Sequence, residues 1–131
     1  MPWLLLLRVG LALLFLISGT LHLVLPGPYR SIMPSYLPAH ALLVSVSGWA
    51  EIAGGLGLIL APTRRYAGWG LLLLLVAVFP ANIEMLGLYR SRGVPWWGET
   101  LLWLRLPLQL VLMMAVWRAS QPAAARTSVT A

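Results

Sequence analysis

The chain has 131 residues, 60% of them hydrophobic and only 9% charged, with a mean hydropathy of +0.87. Soluble domains carry about a quarter charged residues, so the composition excludes an ordinary water-soluble fold and marks an integral membrane protein, with room for at most about five helical spans and no soluble catalytic domain beside them. The absence of cysteine excludes thiol redox chemistry, thiolate-held iron–sulfur clusters and disulfides, and the net charge of +6 comes from nine Arg against three Glu with no basic run that would suit nucleic acid.

Four apolar stretches follow one another, Trp3 to Leu25, His40 to Ala61, Tyr66 to Leu88 and Trp96 to Trp117, each near the length a helix needs to cross the hydrocarbon. The first is read as a helix and not a secretory signal, because no basic residue precedes it, Arg8 interrupts it and no A-x-A site follows. The segment from Pro26 to Pro38 holds Pro26, Pro28, Pro34 and Pro38, which oppose regular helix. Its Tyr29, Ile32, Met33, Tyr36 and Leu37 make it too apolar for a free linker, so it is expected to fold over the bundle mouth. Pro62-Thr63-Arg64-Arg65 and the segment from Arg90 to Pro95 read as tight turns between antiparallel helices. Residues 119–131 are small and polar, and are expected to form a disordered tail. The expected fold is all-α, four transmembrane helices in an antiparallel bundle.

Arginine counting orients it. The side bearing both termini carries Arg8, Arg64, Arg65, Arg118 and Arg126, against Arg30, Arg90 and Arg92 on the other, which favours cytoplasmic termini in a cell membrane. Trp3, Trp96, Trp97 and Trp117 stand at span ends, where aromatic belts belong.

Ionisable side chains at the bilayer centre cost about 2.5 to 3.5 kcal/mol each on insertion scales, so intramembrane charges are the first place to look for function. Glu51 lies roughly 15 Å and Arg105 roughly 13 Å below the outer surface at 1.5 Å rise per residue, and matched depth predicts an interhelical ion pair or a shared polar site. Helical spacing sets Glu51 in a stripe with Ser47, Gly48, Gly54, Gly55 and Leu58. Gly98, Leu102, Arg105 and Gln109 form a second stripe, and Phe15, Ser18, Gly19 and His22 a third. On the remaining helix Asn82 and Glu84 are about 200° apart, so only a kink, for which Pro80 gives a reason, brings both inward. The candidate ligand-binding set is Ser18, His22, Glu51, Asn82, Glu84, Arg105 and Gln109, in a pocket opening to the outer side, with no metal site.

Each of these residues also has a structural reading. Glu51 with Arg105 is equally a register-fixing ion pair. His22 is either a proton donor to a bound molecule or a proton relay, or else a hydrogen-bond partner of a neighbour or headgroup. A bis-histidine haem with His40 is disfavoured, because His40 begins its helix. Glu84 is expected to pair with Arg90 or Arg92, and Glu99 to complement a helix dipole.

The ordered set S-G-T-L-H at Ser18 to His22, M-P at Met33 and Pro34, S-G-W-A-E-I-A-G-G-L-G-L at Ser47 to Leu58, P-T-R-R at Pro62 to Arg65 and F-P-A-N-I at Phe79 to Ile83 resembles the DoxX-like family of small four-helix membrane proteins. The resemblance covers about residues 5 to 118. It implies the four-helix membrane fold and an association with quinone-linked oxidoreductase systems, as a membrane subunit or as a partner of a soluble or membrane redox enzyme. Three functions follow as expectations. The first is an accessory or quinone-interacting subunit, at most part of an enzyme; the others are a small proton-coupled transporter and a noncatalytic assembly partner of another membrane protein or of a second copy of itself.

Overall fold

A computed structural model describes residues 2–31 and 33–124 of the chain. Ile32 and residues 125–131, including Arg126 and most of the expected tail, lie outside the described residues. The elements are α1 (Pro2–Val24), α2 (Pro26–Ser31), α3 (His40–Ile59), α4 (Arg64–Ser91) and α5 (Trp96–Ser120), with no strand among the described residues. Four of them, α1, α3, α4 and α5, are long and apolar enough to cross a membrane, which marks a multi-pass membrane protein. Leu5, Leu6, Leu13, Ile17, Leu73, Val76, Leu104 and Val111 stay exposed, as side chains do when lipid is their solvent.

Three expectations are corrected. The Pro-rich connection is not free of helix: Pro26 and Pro28 fall in the first turn of the short α2, where a missing amide proton breaks no bond. Ala119 and Ser120 do not belong to a tail; both are buried at the end of α5. Helix α4 stays helical through Pro80, so Asn82 and Glu84 remain on different faces.

The helices pack in the cyclic order α1, α3, α4, α5, with α3 against both α1 and α4 and with α1 and α5 touching only sparsely. Small residues explain why α3 is central. A methyl group on Gly19 of α1 would stand 2.5 Å from the Gly48 carbonyl oxygen of α3, and one on Gly57 would stand 2.6 Å from Ala67 Cβ of α4, so backbones approach where leucine-sized side chains would hold them apart. The apolar core of Leu11, Phe15, Leu58, Leu71, Leu75 and Val116 fills the half of the bundle nearer the termini.

That termini end is tied by arginines. Arg8, buried on α1, donates from Nε to the Ala119 carbonyl at 2.9 Å and from Nη2 to the Gln121 carbonyl at 2.8 Å, satisfying acceptors that the end of α5 leaves open. Arg64 does the same for α3, donating to the Leu58 and Ile59 carbonyls, each at 2.8 Å. At the opposite end the chain leaves α4 through Gly93 at φ 73°, a left-handed position that suits glycine, and the Gly93 amide donates to the Arg90 carbonyl. The 26–39 segment folds over this second end, the cap end, with Pro34 fully buried.

Candidate functional site

The half of the bundle under the cap is hollow. A cavity of about 280 Å³ is lined by Ser18 and His22 of α1, Tyr29 and Met33 of the cap, Ser47 and Glu51 of α3, Asn82 of α4, and Arg105 and Gln109 of α5. Its floor is apolar, with Phe15, Leu75 and Leu112. The cavity contains Ser18, His22, Glu51, Asn82, Arg105 and Gln109, six of the seven residues singled out from the sequence.

Glu84 is the exception. It is exposed and does not line the cavity, because the continuous α4 turns Asn82 inward and Glu84 out. Its expected pairing with Arg90 or Arg92 also does not form: Arg90 Nε instead reaches Glu99 Oε1 at 3.0 Å across the α4–α5 turn. Glu99 does lie in the first turn of α5, where a carboxylate faces the positive end of the helix dipole.

Glu51 and Arg105 line the same cavity, but they are not partners. Helices α3 and α5 stand diagonally across the bundle, so the two side chains belong to opposite walls. Glu51 lies against His22, with Oε2 3.3 Å from Nδ1, and Arg105 Nη1 donates to Met85 Sδ at 3.3 Å. The reason is the glycine contact between α1 and α3. A methyl group on Gly48 would meet His22 Cβ at 2.9 Å and one on Gly19 would meet Glu51 Cβ at 3.1 Å, so each glycine makes room for the polar residue of the opposite helix.

The His22–Glu51 pair is incompletely satisfied. His22 Nδ1 also lies 2.7 Å from the Ser18 carbonyl oxygen, which can only accept, so Nδ1 carries a proton and donates it there. Glu51 Oε2 has no hydrogen-bond partner although the residue is only 9% exposed. Buried polar atoms are nearly always partnered, and an unsatisfied one costs about 1–3 kcal/mol. The Glu51 carboxylate thus lines the cavity with one oxygen shielded beside His22.

Asn82 and Gln109 form the facing wall. Asn82 Nδ2 donates to Gln109 Oε1, and Gln109 Nε2 donates to the Leu75 carbonyl of α4, so the two amides bridge α4 and α5 and hold each other's orientation.

Tyr29 was not among the sequence-derived candidates. Its ring stacks on His22 with centroids 3.8 Å apart and an interplanar angle of 23°, closing the cavity from the cap. Burial holds its phenol above the ordinary value near 10; Glu51 pushes in the same direction and Arg105 opposes. Nothing in the pattern around Tyr29 announces this contact beyond the apolar character of the proline-rich segment. His40 lies outside the cavity lining, with Nε2 3.1 Å from the Pro34 carbonyl oxygen. No cluster of three or more His, Cys, Asp or Glu capable of holding a metal occurs among the described residues.

No curated protein and no solved structure matches the chain. Residues 11–120, which include α2 to α5, most of α1 and every residue of the cavity, match the family described as a domain of unknown function, DUF8561, and the chain belongs to that family.

Proposed function

We propose that the protein is a membrane-bound, quinone-interacting accessory subunit of a redox system, with both termini in the cytoplasm and the cavity in the outer half of the cell membrane. The observation that carries this reading is the Glu51 carboxylate, set beside His22 on the wall of a cavity whose other walls are polar only at a few points. Ligand sites of this kind are mostly apolar with a small number of placed polar groups, and about 280 Å³, just under the usual range of roughly 300–1,000 Å³, suits one ring-sized head. The resemblance of the Ser18–His22, Ser47–Leu58 and Phe79–Ile83 segments to the DoxX-like family favours a quinone as the class of molecule.

A bound quinone supplies two-electron, two-proton chemistry, with the electrons coming from a redox partner. The chain's own residues bind and orient it. The Glu51 carboxyl takes a hydroxyl proton donor, or donates to a carbonyl when it is protonated. With Nδ1 committed to Ser18, His22 keeps Nε2 as its remaining polar atom. Asn82 and Gln109 fix the plane of the opposite wall, and Tyr29 covers the site. The apolar layer of Leu11, Leu58, Leu71 and Val116 between the cavity and the termini end argues against a transmembrane proton path, which speaks for binding over transport.

The test is thermal unfolding of purified protein with a benzoquinone or naphthoquinone added. Stabilisation that Glu51→Gln removes is expected. If no quinone shifts the transition and deletion leaves quinone-linked respiration intact, the proposal is wrong.

A further inference from the structure

At one of its seams the cavity lets a molecule larger than its head project. Toward the termini the apolar core closes it. Toward the cap Tyr29 lies on His22 and Pro34 is fully buried. The α1–α3 boundary is sealed by backbone contact at Gly19 and Gly48, and the α4–α5 boundary by the Asn82–Gln109 bridge. Helices α1 and α5 are different: they touch sparsely, and Arg8 ties them at the termini end. At the level of the cavity Leu14 of α1 is 47% exposed and Leu108 of α5 is 64% exposed, yet both line the cavity, so its mouth opens sideways between these helices onto the surface that lipid covers.

Beyond that mouth an apolar groove runs along α5, lined by Leu101, Leu104 and Val111 among others. Arg105 and Leu108 belong to both the cavity and the groove, so the two spaces meet at those residues. Arg105 has no carboxylate partner among the described residues, and its guanidinium keeps donors free at the junction.

Resting on the reading of a quinone-type head in the cavity, we infer that the ligand carries a long apolar chain which leaves the cavity sideways between α1 and α5 and lies in the α5 groove. The head reaches its place from within the bilayer, and Arg105 donates to a head-group oxygen at the point where head and chain join. The groove supplies apolar contact and no orientation, so it accepts chains of different length.

The experiment uses the full chain in lipid nanodiscs and a benzoquinone bearing a diazirine on its alkyl chain. After irradiation, peptides are mapped by mass spectrometry with and without excess tailless benzoquinone. The expected result is labelling of residues 101–111 that the tailless competitor suppresses, and that Leu104→Trp, which narrows the groove without touching the cavity, reduces about tenfold relative to wild type. Competed labelling confined to the cap or to α4 overturns the sideways path while leaving the quinone site standing. Labelling that the tailless quinone never suppresses removes the quinone reading and this inference with it.

Discussion

His22 Nδ1 stands 3.3 Å from Glu51 Oε2, yet gives its hydrogen bond to the Ser18 carbonyl, and so leaves a buried carboxylate oxygen unsatisfied at the wall of a cavity. Removing that carboxylate should separate binding from stability. Glu51→Gln keeps the side-chain volume and abolishes a charge whose burial is intrinsically unfavourable. Its melting temperature in detergent is expected to equal or exceed that of wild type, while quinone-dependent stabilisation disappears. A large loss of melting temperature in the unliganded variant would identify the pair as structural.

The α1–α3 contact predicts opposite outcomes for the same substitution at two sites. Gly19→Ala drives a methyl group against the Gly48 carbonyl and should cost about 1–3 kcal/mol, the range for overpacking. Gly70 has nothing within 4 Å of its would-be methyl group, and Gly70→Ala should be neutral or stabilise by about 0.5–1 kcal/mol. Equilibrium unfolding of the two variants by denaturing detergent checks the contrast; equal effects would mean that the helices do not meet through their backbones.

Asn82 and Gln109 should behave as one unit. Gln109→Leu strands the Asn82 amide and is expected to cost about 1–3 kcal/mol, whereas Asn82→Leu combined with Gln109→Leu should cost clearly less than the two single changes together. A double-mutant cycle gives the coupling directly. Strict additivity would show that the bridge between α4 and α5 carries no energy.

Tyr29 sets a limit at alkaline pH. Its phenol in the folded protein ionises above the ordinary value near 10, so the unfolded chain loses the proton first and stability falls as pH rises beyond that value. Tyr29→Phe keeps the stack on His22 and removes the titration. The variant should lose less stability than wild type between about pH 9 and pH 11, measured by thermal unfolding. Parallel curves would place Tyr29 in water and away from the cavity.

The spans were legible because length and apolarity alone decide whether a helix crosses a membrane, and the observed ends of α1, α3 and α5 fall within three residues of those read from the sequence. The inward placement of Glu51 was legible from its glycine stripe. Its partner was not. Counted from the helix ends, His22 lies close to Val24 while Arg105 lies well inside α5, so depth pointed to Arg105, and the actual choice depends on which helix comes closest. The information was present in another form: glycine precedes the polar residue by three positions both in Gly19–His22 and in Gly48–Glu51, a spacing that lets two antiparallel helices dovetail. Glu84 failed because a proline was taken to bend α4 enough to swing a second residue inward, while the helix continues through Pro80. The Tyr29 stack depends on how the cap folds, which no periodicity encodes.

The bonds from Arg8 to the Ala119 and Gln121 carbonyls join positions 111 and 113 residues apart. During synthesis α1 therefore reaches the translocon long before its acceptors exist, and the nascent guanidinium must remain solvated by water or lipid phosphate until α5 emerges. Insertion of the first helix is in this sense provisional, and arrival of the last one completes it. A chain that ends before position 119 lacks both acceptors and leaves a basic residue of its first span without these bonds.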